Sequence, residues 1–254
     1  MSLKYVVLGA FVLLSFGFAI YIYFIQNGET LASTDAIAVN VEEKKVVAES
    51  VVSRGAITHQ VPFTSQAPLG EWSDPRQQYG CEEAIAVMAM HWVRGESNSL
   101  PLVGAREEIL AITEFQQENY GMFEDTSVSD TETRIFRDYY GYLNTEVRTG
   151  ISVEDIKEEL YRGNVIFVPI NGRTIQNLYY TPPGPLRHTI MVIGYDPETH
   201  TFITHDPGTK HGAYYPYQED ILAASLQNYA TGLDEPIEDM PSSMLVIYGA
   251  KNLE

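Results

Sequence analysis

The chain has 254 residues, 44% hydrophobic and 11% aromatic, enough for a sizeable core and too apolar for a disordered chain. Sixteen basic against 34 acidic side chains give a formal net charge of −18. That balance argues against nucleic acid or an anionic membrane surface as a partner, since both require clustered Lys and Arg.

The first expected element is a membrane span. Tyr5 to Ile25 is a run of 21 residues without a charge, and about 20 apolar residues suffice to cross a bilayer whereas a signal-peptide core is usually about 7–15. Tyr21 and Tyr23 suit an interfacial aromatic belt, and Lys4, the charge preceding the span, points to a cytoplasmic N-terminus. Small-x-small cleavage patterns are poorly placed after the run, so residues 1–26 read as an uncleaved signal anchor in the cell membrane. The C-terminal domain is then extracytoplasmic. Residues 27–58, polar and irregular, read as a flexible tether, and residues 59–254 as one folded domain.

Within that domain helices are expected first. Cys81 to about Arg94 carries Ile85, Met88 and Trp92 on one helical stripe with the cysteine, and Gly95 follows as a stop. A second helix is expected from about Arg106 to Gln117, and a third from Asp130 to about Tyr140 ahead of Gly141. A fourth, Val153 to Tyr161, has Ser152 as N-cap and Glu154 and Asp155 in its first turn. The texture then turns to short β-branched runs: 164–170, 189–195, 201–204 and 244–248 read as strands. Helices followed by an antiparallel sheet make an α+β arrangement. The acidic stretch Glu124, Asp125, Asp130 and Glu132 lacks the pattern of a calcium loop and is expected to be a solvated face.

Cys81 is the one cysteine of the chain, so it forms no internal disulfide and no thiolate metal site. It is either a small buried side chain or a nucleophile. A helix N-terminus lowers a thiol's pKa, and so does a neighbouring imidazole; Glu82 and Glu83 oppose this if they point at the sulfur. His188 opens its strand after the Pro-rich loop 179–185, which suits a cleft rim. Asp206 follows the next strand. If the two strands are antiparallel neighbours turning at Asp196-Pro197, His188 and Asp206 lie together at the far end, where the carboxylate could orient the imidazole. Strand alternation separates Asp206 from its neighbour His205. His200, His205 and His211 lack the carboxylate or cysteine that would complete a ligand set, so no metal or other cofactor is expected.

Gln66-Ala67-Pro68, Trp72 and Gly80-Cys81-Glu82-Glu83-Ala84 resemble the nucleophile region of C39-like cysteine peptidases with a papain-like fold. Leu160 to Ile166, His188 to Tyr195 and Asp206-Pro207-Gly208 extend the likeness, in order and spacing, from about Val61 to Tyr248. The resemblance implies a helical half packed on an antiparallel sheet, here preceded by one transmembrane helix. It implies Cys81 as nucleophile, His188 as general base and then acid, and Asp206 as the orienting residue. It also implies an upstream glutamine donating to the oxyanion. Gln66 fits that role best, with Gln77 and Gln78 as rivals, because its separation from Cys81 is longer than in compact members. Glu82 stands where many relatives carry glycine. The implied function is a thiol protease: a hydrolase cleaving amide bonds of a peptide or protein substrate through a thioester acyl-enzyme. The alternatives are an inactive papain-like module binding peptide or cell-envelope partners, and an acyltransferase using the same thiolate.

Overall fold

In the computed structural model the described residues are 54–97, 99–232, 237 and 240–249. The expected anchor at 1–26 and nearly all of the tether lie outside them. Among the described residues no helix is long and apolar enough to cross a membrane.

The chain enters through β1 (Ile57–Thr58), followed by a short α1 (Pro75–Gln78) and then α2 (Cys81–Val93). The sequence places one apolar stripe on α2, yet every residue from Cys81 to Met90 is buried, Glu82 and Glu83 included. Such an all-round burial belongs to a central helix. α2 packs against α3 (Leu102–Tyr120) on one side and the sheet on the other. α3 begins four residues before the expected Arg106, on Pro101, and ends at Gly121, whose φ of 77° forms a left-handed C-cap. α4 (Val128–Asp130) starts on Ser127, whose side chain accepts from the Asp130 N–H. It widens at once into a π-helical stretch, Thr131–Tyr139, that closes with the Tyr140 N–H on the Ile135 carbonyl at 3.1 Å. α5 (Val153–Tyr161) has the expected bounds and a reciprocal cap between Ser152 and Asp155.

The remaining elements are β2 (Thr145–Thr149), β3 (Val165–Ile170), β4 (His188–Asp196), β5 (Thr201–His205), β6 (Tyr215–Gln218), α6 (Glu219–Ser225) and β7 (Ser243–Ile247). The sheet is antiparallel in the order β2-β7-β3-β4-β5-β6, with β1 also paired to β4. Expected strands β3, β4, β5 and β7 are present. β1, β2 and β6 are additions, so strands and helices are less segregated along the chain than the sequence suggests.

Helices and an antiparallel sheet make the expected α+β arrangement, and the helices cover both faces of the sheet. Alternate residues of the central strands feed two cores. Phe167, Met191, Ile193 and Leu245 pack with α2, α3 and the π-helical stretch. Ile166, Val168, Ile190, Val192 and Val246 pack with Ile156 and Leu160 of α5 and Leu222 of α6. A sheet buried on both faces explains why β3 and β7 read as continuous apolar runs rather than alternating ones. The site lies where α2 begins and β4 begins.

Candidate active site

Cys81 is the first residue of α2. Gly80 precedes it as N-cap and offers no side-chain hydrogen bond. A Cβ at Gly80 would stand 2.7 Å from the Arg76 carbonyl, so the close approach of α1 requires glycine there. Cys81 as a whole is 3% exposed. Its Sγ donates to Glu82 Oε2 at 3.0 Å. Burial pushes the thiol pKa well up, and the charges of Glu82 and Asp125 push it further, with the Thr189 hydroxyl easing it slightly. The helix N-terminus that ordinarily activates a cysteine is here opposed by buried carboxylates.

Those carboxylates form a cluster. Glu82 is fully buried, accepts from Tyr229 Oη at 2.8 Å, and is pushed up to about 7 by burial and by Asp125. Glu83 is also fully buried, accepts from Gln116 Nε2 at 2.6 Å, and is raised by burial and by Glu82. Asp125 was expected on a solvated face. Instead it is 6% exposed, stands 3.5 Å from Arg187 Nη1, and is raised to about 6 by burial against the opposing charges of Arg187 and His188. Its φ of 44° is unusual for a non-glycine residue. Glu132, from the same stretch, is 8% exposed and paired with Arg137.

His188 and Asp206 meet as the strand arithmetic expects. β4 and β5 are antiparallel, with Met191 opposite His205 and one bulge between Val192 and Gly194. His188 Nε2 donates to Asp206 Oδ1 at 2.8 Å. Asp206 is fully buried and heavily bonded: Gly208 N–H at 3.0 Å on Oδ1, and Asn177 Nδ2 (2.8 Å), Tyr180 Oη (2.6 Å) and Tyr217 Oη (2.6 Å) on Oδ2. Burial alone would raise its pKa, but the His188 charge and these donors hold it below the usual carboxylate range. Asp206 is therefore an ionised acceptor and fixes the proton on Nε2, leaving Nδ1 as the basic nitrogen. His205 turns away, donating from Nε2 to the Val61 carbonyl at 2.9 Å and accepting the Tyr214 N–H on Nδ1 at 3.1 Å.

Gln66 reaches the site from the other side, and its backbone N–H donates to the Pro207 carbonyl at 2.9 Å. Its side-chain Nε2 donates to the carbonyls of Gln77 (3.0 Å) and Gln78 (2.8 Å), while Oε1 is buried without a partner. Both amide protons are thus engaged with α1. Of the two rivals, Gln77 is fully buried and bonded to Glu71, whereas Gln78 lines the cleft.

The cleft measures about 1120 Å³ and is lined by Gln66, Cys81, Asp125 and His188 together with three loops. The lining includes Leu69 and Trp72, the 179–187 loop with Tyr179, Tyr180 and Leu186, and Lys210 and His211. Tyr179 stacks on His211 at 4.4 Å, and Tyr180 meets the His188 ring edge-on at 5.5 Å. The loop is seated rather than loose: a Cβ on Gly172 would stand 2.6 Å from Pro185. The parts that Asp125, Asn177, Tyr180, Tyr217 and Tyr229 play at the site are not marked in the sequence. The tyrosine-rich pattern Tyr214-Tyr215-Pro216-Tyr217 suits a cleft or a core, but nothing local marks which tyrosine meets Asp206.

No curated protein matches the sequence. A solved structure of a proposed C39-like peptidase from Bacillus anthracis is similar over 77% of this chain and 98% of that one, at 13% identity and a TM-score of 0.48. The family model described as Peptidase_C39 like family matches residues 58–231, a span that includes Gln66, Cys81, His188 and Asp206, and the chain belongs to that family.

Proposed function

We propose that the protein is a cysteine peptidase held at the outer face of the cell membrane by residues 1–26. It would cleave amide bonds of a peptide or protein substrate with Cys81, His188 and Asp206. The observation that carries this reading is the buried Asp206 hydrogen-bonded to His188 at 2.8 Å, in a cleft that His188 and Cys81 both line. In the first step the thiol proton passes to His188 Nδ1 and the sulfur attacks the carbonyl carbon. The Cys81 backbone N–H lies at the uncapped start of α2, and Gln66 Nε2 becomes a second oxyanion donor once it leaves the α1 carbonyls. The imidazolium then protonates the leaving amine, and a thioester remains. Water, deprotonated by His188, releases the acyl group. The apolar rim of Leu69, Trp72 and Tyr179 suits peptide side chains.

Amide hydrolysis of a casein-type or synthetic peptide substrate by the wild type is expected to disappear in Cys81→Ala, by a factor of about 10² or more. Unchanged hydrolysis in that variant sinks the proposal. A second reading is favoured by the Glu82 carboxylate on the thiol: a family member that binds peptide without cleaving it. Iodoacetamide separates the two, because an active-site thiolate alkylates at about pH 6 and a buried structural thiol does not. Transfer of the acyl group to an amine instead of water would be recognised from the products.

A further inference from the structure

A carboxylate in contact with a nucleophilic sulfur is chemically unfavourable, and this fold goes to some length to keep one there. Glu82 is held from both ends. Oε2 accepts the Cys81 Sγ–H at 3.0 Å, and Oε1 accepts the Tyr229 hydroxyl at 2.8 Å, a partner 147 residues away in sequence. Both Glu82 and Tyr229 have no solvent exposure. A helix-capping role alone needs neither burial nor contact with the sulfur, since an exposed Ser or Asp at the N-cap serves it. The groups facing Glu82 are Cys81 and Glu83 on α2, Tyr229 ahead of β7, and Asp125 ahead of α4, the last beside Arg187 and His188 of the rim and β4.

We infer that Glu82 is a further catalytic residue, whose protonation converts the resting Cys81 thiol into the attacking thiolate. The inference rests on the reading of Cys81 as nucleophile. It follows from counting protons. The resting arrangement, S–H against Glu82 carboxylate with neutral His188, holds one exchangeable proton across sulfur, carboxylate and Nδ1. A thiolate 3.0 Å from an ionised carboxylate is strongly disfavoured. The attacking state is therefore thiolate, imidazolium and neutral carboxyl, which holds two. The S–H proton passes to His188 Nδ1, one proton from solvent binds Glu82, and the carboxyl O–H then donates to the sulfur. Activation takes up a single proton, so reactivity falls as pH rises through the Glu82 titration. An ordinary thiol behaves in the opposite way.

The test is the rate of iodoacetamide labelling of the full chain between about pH 5 and pH 9, with Cys81→Ala as the blank. In the wild type the rate is expected to decline above about pH 7, where Glu82 ionises, by about tenfold per pH unit for one proton. Glu82→Gln is isosteric, carries no proton switch, and is expected to label about tenfold faster than wild type near pH 8, without the decline. Tyr229→Phe removes a donor to the carboxylate. It raises the Glu82 value and moves the decline to higher pH. Identical profiles in wild type and Glu82→Gln overturn the inference. If Glu82→Gln does not fold, Tyr229→Phe decides, and a decline at the wild-type pH overturns it. Peptide hydrolysis is read separately. Its absence alongside the expected labelling profiles removes the peptidase reading alone, and Cys81-dependent hydrolysis with unaltered profiles removes the Glu82 inference alone.

Discussion

Burial acts in opposite directions on His205 and Asp206, neighbours in sequence that the end of β5 turns to different sides. Asp206 collects enough donors to stay charged without solvent exposure. His205 collects one carbonyl and one N–H, which suit the neutral ring, and burial lowers its pKa to about 4. A histidine held neutral in the fold but free to protonate when unfolded links stability to pH. The unfolded chain binds more protons than the native one between the ordinary histidine value of about 6.5 and the folded value. The His205 contribution is therefore complete above that ordinary value and is lost as pH falls through about 4. Glu82 and Asp125, both raised, act with the other sign in part of this window, so a single denaturation curve mixes the effects. Urea unfolding of wild type and His205→Gln at several pH values isolates the histidine. The wild type is expected to lose about 3 kcal/mol more than the variant over the window. Parallel pH profiles would show that His205 is not held neutral.

The turn from β5 to β6 sets where Asp206 stands. Its tightest point is Gly212, whose carbonyl accepts the Asp206 N–H at 3.0 Å and whose hypothetical Cβ lies 1.8 Å from the Asp206 carbonyl. Alanine at this position pushes the two backbones apart and takes the Asp206 carboxylate off its five donors. An error of this size in a catalytic group costs about 100-fold in rate, whereas overpacking costs about 1–3 kcal/mol in stability. Gly212→Ala is accordingly expected to fold with reduced stability and to hydrolyse peptide about 100-fold more slowly. Gly104→Ala, at a helical site with nothing within 4 Å of the added Cβ, serves as the control and leaves turnover unchanged. Wild-type turnover in Gly212→Ala would relieve this turn of any part in placing the aspartate. Elements of this kind divide into those written in the sequence and those that are not. α2, α5, β3, β4, β5 and β7 follow from long apolar runs, caps and turn residues within each segment. β2 does not, because Thr145-Glu146-Val147-Arg148-Thr149 is half-exposed and gains its strand form from pairing with β7. α1 and α6, at four and seven residues, are too short to show a period. The site divides in the same way. Cys81, His188 and Asp206 stand at the ends of legible elements, whereas Asp125 and Tyr229 are brought to the sulfur by chain closure alone.

At the scale of the whole molecule, the two faces of the sheet are each closed by helices drawn from residues beyond Arg54. β7, close to the C-terminal end of the described chain, lies between β2 and β3, one strand in from the β2 edge. Both cores are therefore complete only once Ser243–Ile247 is in place, and the described residues of both cores all lie beyond Arg54. The expected anchor and nearly all of the expected tether precede Arg54, the first described residue. Removal of those residues thus tests two ideas at once. A fragment beginning at Arg54 should fold with the melting temperature of the full chain and retain its turnover. The strong acidic excess of the sequence should also keep it in solution. The full chain should sediment with membranes, resist extraction by high salt, and yield to detergent, as a spanning apolar helix requires. Protease added outside intact cells should then remove the domain that begins at Arg54. A full chain that stays in the soluble fraction eliminates the anchor. A fragment that fails to fold shows instead that the first 53 residues belong to the core, and the two failures are told apart by circular dichroism on the fragment and fractionation of the full chain.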